Sequence, residues 1–332
     1  MVSDIATSSQ RGSYIGWASL GVLLGPAIGP IIGVLLSQSL GWRAIFWFLV
    51  IVSGVIFLIF LVALPETCRA VVGNGSIPSQ RWNISLLTYH KQRQLRKSGA
   101  PPPGLSSRPP RKSLNLLGTL RIIFSKEAPF ILIYSGFLFG GFYAVAATIP
   151  VNFSTIYRFN SLQVGLCYFP FGFGSMTAAV ISGRTLDWNF GRHAKRLNIT
   201  ISRGRQTDLR GFPIEMARIQ VIAPFIISGS LFIIAYGWVL HASVSLAGPL
   251  ILLYFVGFSA TGAFTTLNTL IIDLYLEGPG TATAASNWVR CWIGAGAVAI
   301  VGPLLSALGM GWVGVIVAFI WVCASPLLWV VL

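Results

Sequence analysis

Six stretches of this chain contain no Asp, Glu, Lys or Arg: residues 12–42, 44–65, 128–157, 159–183, 219–272 and 291–332. An α-helix needs about 20 mostly apolar residues to cross a bilayer, where every backbone polar group must be bonded internally. The first four stretches each fit one crossing. The last two are too long for one and suit two, with breaks at His241-Ala242-Ser243 and Gly309-Met310-Gly311-Trp312. The sequence therefore predicts an all-α polytopic membrane protein with about eight transmembrane helices. They are placed near 15–37, 44–64, 129–152, 161–183, 219–240, 247–271, 288–307 and 311–332. A transmembrane β-barrel would show shorter, alternating strands instead. Only 9% of the residues are charged, against about a quarter in ordinary soluble domains, so a soluble enzyme is excluded.

The net charge of +15 changes meaning once it is placed along the chain. Segments 65–128 and 184–218, together with Arg11, hold 20 of the 23 Lys and Arg residues. An even number of spans separates them, so they share one side of the membrane. By the positive-inside rule that side is the cytoplasm, which also receives both termini. The basic charge marks orientation and contact with anionic lipid, and calls for no nucleic-acid partner.

Segment 69–113 is basic and rich in Pro, including Ala100-Pro101-Pro102-Pro103-Gly104, and reads as a disordered linker. Residues 114–128 place Leu116, Leu117, Leu120, Ile123 and Phe124 near helical spacing, as in a short helix lying in the interface. The implied organisation has three parts. Residues 1–68 carry the last two helices of a first bundle, 69–128 form the cytoplasmic linker and interfacial helix, and 129–332 form a six-helix second bundle.

Nothing in the chain suggests catalysis. The three His residues (His90, His193, His241) are scattered, no HExxH motif occurs, and the four Cys are isolated. No metal or cofactor is expected, nor an obligate protein partner. An integral-membrane enzyme is a remote alternative.

Gly21, Gly25, Gly29 and Gly33 recur every four residues along one helix face, interrupted by Pro26 and Pro30. Small residues at this spacing let another helix approach closely, and the prolines can kink the span. Gly21-x3-Gly25-Pro26-x2-Gly29 resembles the antiporter motif in the fifth helix of major facilitator drug:proton antiporters. Flanking segments resemble the same family: Ser3-Asp4-Ile5-Ala6 with Arg11-Gly12, Gly41-Trp42-Arg43-Ala44-Ile45-Phe46-Trp47, and Leu64-Pro65-Glu66-Thr67-Cys68-Arg69. Residues 183–192, Gly-Arg-Thr-Leu-Asp-Trp-Asn-Phe-Gly-Arg, resemble the second-half copy of the family's loop motif A. Asp273 with residues 282–291 resembles its tenth and eleventh helices. The resemblance is to fungal twelve-span drug:proton antiporters, in the branch exporting drugs, weak acids, polyamines and amino acids.

That resemblance implies a partial major facilitator fold, helices five to twelve, with the family's first four helices outside this sequence. It implies efflux of a small molecule coupled to protons, by alternating access, in the plasma or the vacuolar membrane. A truncated chain that does not transport is the alternative. It implies a cytoplasmic gating region containing Gly183, Asp187, Gly191, Arg192, Asp273, Asn287, Arg290, Glu66 and Arg69. Asp187 can cap a helix N-terminus or meet an Arg. Asp273 and Arg290 are expected to pair across a cytoplasmic hairpin. Phe139, Tyr143, Asn152, Tyr168, Phe171 and Asn268 are the candidate cavity-lining residues, suited to lipophilic cations or weak acids. No Asp or Glu is expected mid-membrane.

Overall fold

The computed structural model describes residues 10–64, 72, 84–97, 117–125, 128–197, 213–275 and 278–329. Among these the regular structure is helical throughout. The elements are α1 (Arg11–Leu40), α2 (Arg43–Ala63), α3 (Leu86–Lys97), α4 (Leu117–Ile123), α5 (Ala128–Ile156), α6 (Ser161–Arg196), α7 (Ile214–His241), α8 (Ala247–Leu274), α9 (Pro279–Ala324) and α10 (Pro326–Trp329). Seven helical stretches are long and apolar enough to cross a membrane. The last of them, Pro279–Trp329, is not one straight rod. Gly309 sits at φ 77°, ψ 168°, a left-handed conformation open to glycine because it has no Cβ. The backbone turns there, within the tetrapeptide where the sequence places a break, so two arms replace one helix.

The chain falls into two compact units, one covering 35–115 and the other 6–34 with 116–332. In the first, α2 is apolar all round and has no buried residue. Its length and apolar composition suit a membrane span. α3 overlies part of the segment that the sequence reads as disordered. Leu86–Lys97 contains neither Gly nor Pro and is rich in Leu, Lys, Arg and Gln, all good helix formers. The Pro-rich stretch that motivates the disorder reading begins only after it.

In the second unit, α4 falls within 114–128, where the sequence predicts a short helix. The core is built by α5 to α9. Small residues bring backbones together: a methyl group added at Gly174 would strike the Tyr254 carbonyl, and one at Gly257 would strike that of Phe171. Ser175 then reaches across α6 and α8, its Oγ donating to the Phe171 and Gly257 carbonyls at 3.0 and 3.3 Å. Trp321, 1% exposed, ties the second arm of α9 to α5. Its Nε1 donates to Phe137 O at 3.1 Å, and the Tyr134 hydroxyl donates to Trp321 O at 3.2 Å. Asn160 opens α6 with a capping box, exchanging hydrogen bonds with Gln163 at 2.9 and 3.0 Å. These contacts fix which helix ends lie together. The starts of α1, α5, α7 and α9 and the ends of α6 and α8 gather at one end, called here the Arg11 end.

Candidate functional site: an arginine–aspartate latch and a cation on aromatic rings

α1 begins against α6. Its first turn has backbone N–H groups with no intrahelical acceptor, carrying the positive end of the helix dipole. Asp187, on α6, fills that need: Gly12 N donates to Oδ1 at 3.0 Å and Ser13 N to Oδ2 at 2.9 Å. The approach requires glycine on both helices. A Cβ at Gly12 would lie 2.7 Å from the Gly183 carbonyl, and one at Gly183 would lie 2.6 Å from that of Gly12.

Beside this contact three charged side chains are buried together. Arg11 is 2% exposed and Arg218 0%. Arg11 pairs with Asp273 Oδ1. Arg218 NH2 lies 2.9 Å from Asp273 Oδ2, and its Nε donates to the same oxygen at 3.0 Å. Arg218 also donates to Leu186 O at 3.2 Å, with Cζ 5.5 Å from the centre of the Phe190 ring. One carboxylate thus connects α1 to α7 and α8. Charges buried this fully persist only when paired.

The expected partnership of Asp273 with Arg290 does not form. Asp273 is next to the last residue of α8. α9 begins at Pro279, so Arg290 lies about three turns inside it. At about 1.5 Å per residue the two differ in depth by about 15 Å. Ala282–Asn287 continues the helix, so Arg290 lies well inside α9. The gating residues expected from the sequence leave out both partners of Asp273, Arg11 and Arg218; Arg218 is the more informative omission. It was counted as part of a basic segment, yet it stands on the fifth position of α7. Its one usable signal is that an Arg at the start of an apolar run must find an acid when buried.

The other gating candidates separate. A Cβ at Gly191 would meet nothing within 4 Å. Arg192 lies with Cζ 5.8 Å from the centre of the Trp188 ring, and Asn287 is exposed. Glu66 and Arg69 lie outside the described residues. Among the described residues the glycine row of α1 is also not the face that packs. A Cβ at Gly21, Gly25, Gly29 or Gly33 would meet no described atom within 4 Å. The packed face is instead Gly12, Gly16 and Ala27, against Gly183, Ala179 and Gly172 of α6, with the Pro30 backbone beside Gly165. Pro26 and Pro30 sit inside α1 without ending it.

The cavity candidates divide likewise. Phe171 is 1% exposed, stacked on Phe142 at 4.4 Å, and belongs to the packed core. Tyr168 is half-buried and its hydroxyl donates to Ala146 O at 2.9 Å. Asn152 is buried near the far end of α5 with Nδ2 unpaired. Phe139 and Tyr143 stay together, ring centres 4.5 Å apart, and Phe264 lies 6.1 Å from Phe139. Asn268 is one turn from Phe264 on α8 and half-buried. Onto this aromatic group comes Arg290, with Cζ 5.0 Å from the centres of both Phe139 and Phe264. The remaining described histidines, cysteines and acids form no cluster of three or more able to hold a metal, among the described residues.

Comparison with known proteins adds identity to this geometry. The chain is 42% identical over 329 residues to MFS-type transporter phiD of a fungal species (strain ATCC 74256), covering 99% of this chain and 50% of that protein. It is 39% identical to MFS-type transporter clz19 of Cochliobolus lunatus, covering 100% of this chain and 62% of that one. It is 34% identical to Citrate exporter 1 of Aspergillus niger, covering 99% of this chain and 63% of that one. The chain thus spans about half to three-fifths of the length of these relatives. The Major Facilitator Superfamily model matches residues 1–298, and with its membrane-spanning helices the chain belongs to the Major Facilitator Superfamily.

Proposed function

We propose that this integral membrane protein takes part in moving a small molecule across the membrane by alternating access, and that the Arg11–Asp273–Arg218 cluster is its latch. The buried triad carries this reading. It ties α1 to α7 and α8 at one end only, and Asp187 secures the same end of α1 to α6. A contact of buried charges that is either fully made or fully broken suits a two-state gate, because a half-opened pair strands a charge. The distribution of Lys and Arg supports a cytoplasmic Arg11 end, and a latch made there suits a form closed toward the cytoplasm. Helix ends meeting a central pathway between bundles are where such transporters rock.

The fungal resemblance supports export, and one relative is named a citrate exporter. Weak acids, drugs or polyamines are the substrate range, with proton coupling and residence in the plasma or vacuolar membrane as the finer reading. The domain division at 1–68, 69–128 and 129–332 belongs to the same reading. A second reading, a chain that does not transport by itself, draws on two observations. The glycine row of α1 meets nothing described, and α2 buries no residue.

The test uses Thr281→Cys, near the start of α9, in the full chain expressed in pump-deficient yeast. Asp273→Asn or Arg11→Gln should raise its labelling by a maleimide added from the cytoplasmic side, while lowering export of rhodamine 6G or benzoate. Unchanged labelling would remove the latch. Well-expressed chain that exports neither probe would favour the second reading.

A further inference from the structure

We infer that Arg290 reads the negative charge of the substrate, binding the carboxylate of a small organic acid whose body is apolar. This rests on the transport reading and narrows its substrate class.

The argument begins with depth. Arg290 is about eleven residues from the start of α9, Phe139 about eleven from the start of α5, and Phe264 about ten from the end of α8. All three helix ends lie at the Arg11 end. At about 1.5 Å per residue the group sits about 15 Å in from that end, about a third of the way along α5 and α8, which have 29 and 28 residues, and so within the apolar runs that suit a bilayer. A cation at that depth is costly and marks a pathway unless an acid offsets it.

Among the described residues no acid does so. The described carboxylates are Asp187, Glu215 and Asp273, all at the Arg11 end. Asp273 is occupied by two other arginines, and Asp187 by the start of α1. No ion pair involves Arg290 among the described residues, and its Nε is buried without a hydrogen-bond partner. A buried donor left unmatched is rare enough in folded proteins to need a reason.

The rings supply only part of one. Cζ is 5.0 Å from both ring centres, and those centres are 6.1 Å apart. In such a narrow triangle both rings lie toward one side of the guanidinium. They hold its charge and orientation through their faces, but a ring face cannot satisfy the in-plane N–H donors. Gly294 makes the arrangement possible: a Cβ there would lie 3.0 Å from Phe139, whose ring occupies that space one turn from Arg290. The guanidinium is therefore positioned beforehand, half-buried, with donors suited to a planar carboxylate.

Charge then selects the ligand. A fixed positive group disfavours the lipophilic cations that Phe139, Tyr143 and Phe264 would attract by themselves. One arginine balances one carboxylate, whereas a tricarboxylate would leave two charges uncompensated in a low-dielectric site. The rings suit an aryl or alkyl body. Benzoate is the probe with these properties.

The experiment measures radiolabelled benzoate binding to the purified full chain in nanodiscs of zwitterionic lipid. Binding should be saturable, displaced by hexanoate, and resistant to tetraphenylphosphonium. Arg290→Gln should weaken it about ten-fold or more, as expected for losing a charge-assisted contact. Arg290→Lys keeps the charge without the planar fork and should fall between, and Phe139→Leu should weaken binding while leaving Arg290 in place. If Arg290→Gln does not fold, the other two variants decide. Wild-type affinity in folded Arg290→Gln, or in both Arg290→Lys and Phe139→Leu, overturns the assignment. Proteoliposome assays separate it from the transport reading. Transport of tetraphenylphosphonium without benzoate binding leaves a transporter and removes the anion site. Arginine-dependent benzoate binding without any transport does the reverse, and neither activity removes both.

Discussion

Two arginine environments within one unit show what burial demands of a charge. Arg11 and Arg218 are completely enclosed near helix ends and share a carboxylate. Arg290 is half-buried, deeper along its helix, and has aromatic rings where the others have an acid. The first arrangement is closed on itself in charge: both guanidinium groups are paired with one carboxylate, although Arg11 Nε is left without a hydrogen-bond partner. The second is unfinished on one side. The same residue type therefore serves cohesion in one place and, in our proposal, recognition in the other.

The contrast is broken most directly at Asp273. Asp273→Asn leaves two buried guanidinium groups facing a neutral amide. Removing one partner of a buried charge cluster typically costs about 3–5 kcal/mol, so thermal unfolding in detergent should show a large drop. Adding Arg11→Gln should recover part of it, because one stranded charge disappears. A double variant as unstable as the single one would mean that the Arg11 contact contributes nothing.

A smaller loss is expected where α1 meets α6. Gly16→Ala places a methyl group against the Ala179 carbonyl, and overpacking of this kind costs about 1–3 kcal/mol. Gly25→Ala, on the same helix with nothing within 4 Å, should stay within about 0.5 kcal/mol of the parent. Equal losses at the two positions would show that the glycine row also packs in the folded chain, and would undo the distinction between the two faces of α1.

The smallest effect on folding belongs to Arg290→Gln. It removes no ion pair, only contacts with ring faces that are worth about 0.5–1 kcal/mol each at partly exposed sites, and it relieves the desolvation of a cation. Its melting temperature should therefore remain close to that of the parent. A collapse as severe as that of Asp273→Asn would make Arg290 a structural residue of the same kind as Arg11 and Arg218.

Much of the architecture was legible without coordinates. The charge-free runs predict the spans because hydrocarbon excludes unpaired charge, and Gly309 lies in the tetrapeptide expected to break the last of them. The short helix within 114–128 follows from its spacing of apolar residues. The helix at 86–97 was obscured by the Pro-rich residues beside it, although its own composition favours a helix. The antiporter-motif row illustrates a different limit. Period four shows that Gly21, Gly25, Gly29 and Gly33 share a face, but no pattern within one helix says which face its neighbour takes. Gly12, Gly16 and Ala27 take that part, and the prolines remain inside a continuous helix.

What the sequence determined by itself was the membrane, the helical class, the spans and the family resemblance, since all depend on local composition and on order along the chain. The partners of charged residues were decided only in three dimensions. Asp273 is 17 positions from Arg290 but meets Arg11 and Arg218, 262 and 55 positions away. The physical reason is depth. Antiparallel helices bring together residues equally far from their shared end, and the helical start at Pro279 moves Arg290 beyond the reach of Asp273 and level with Phe139 and Phe264.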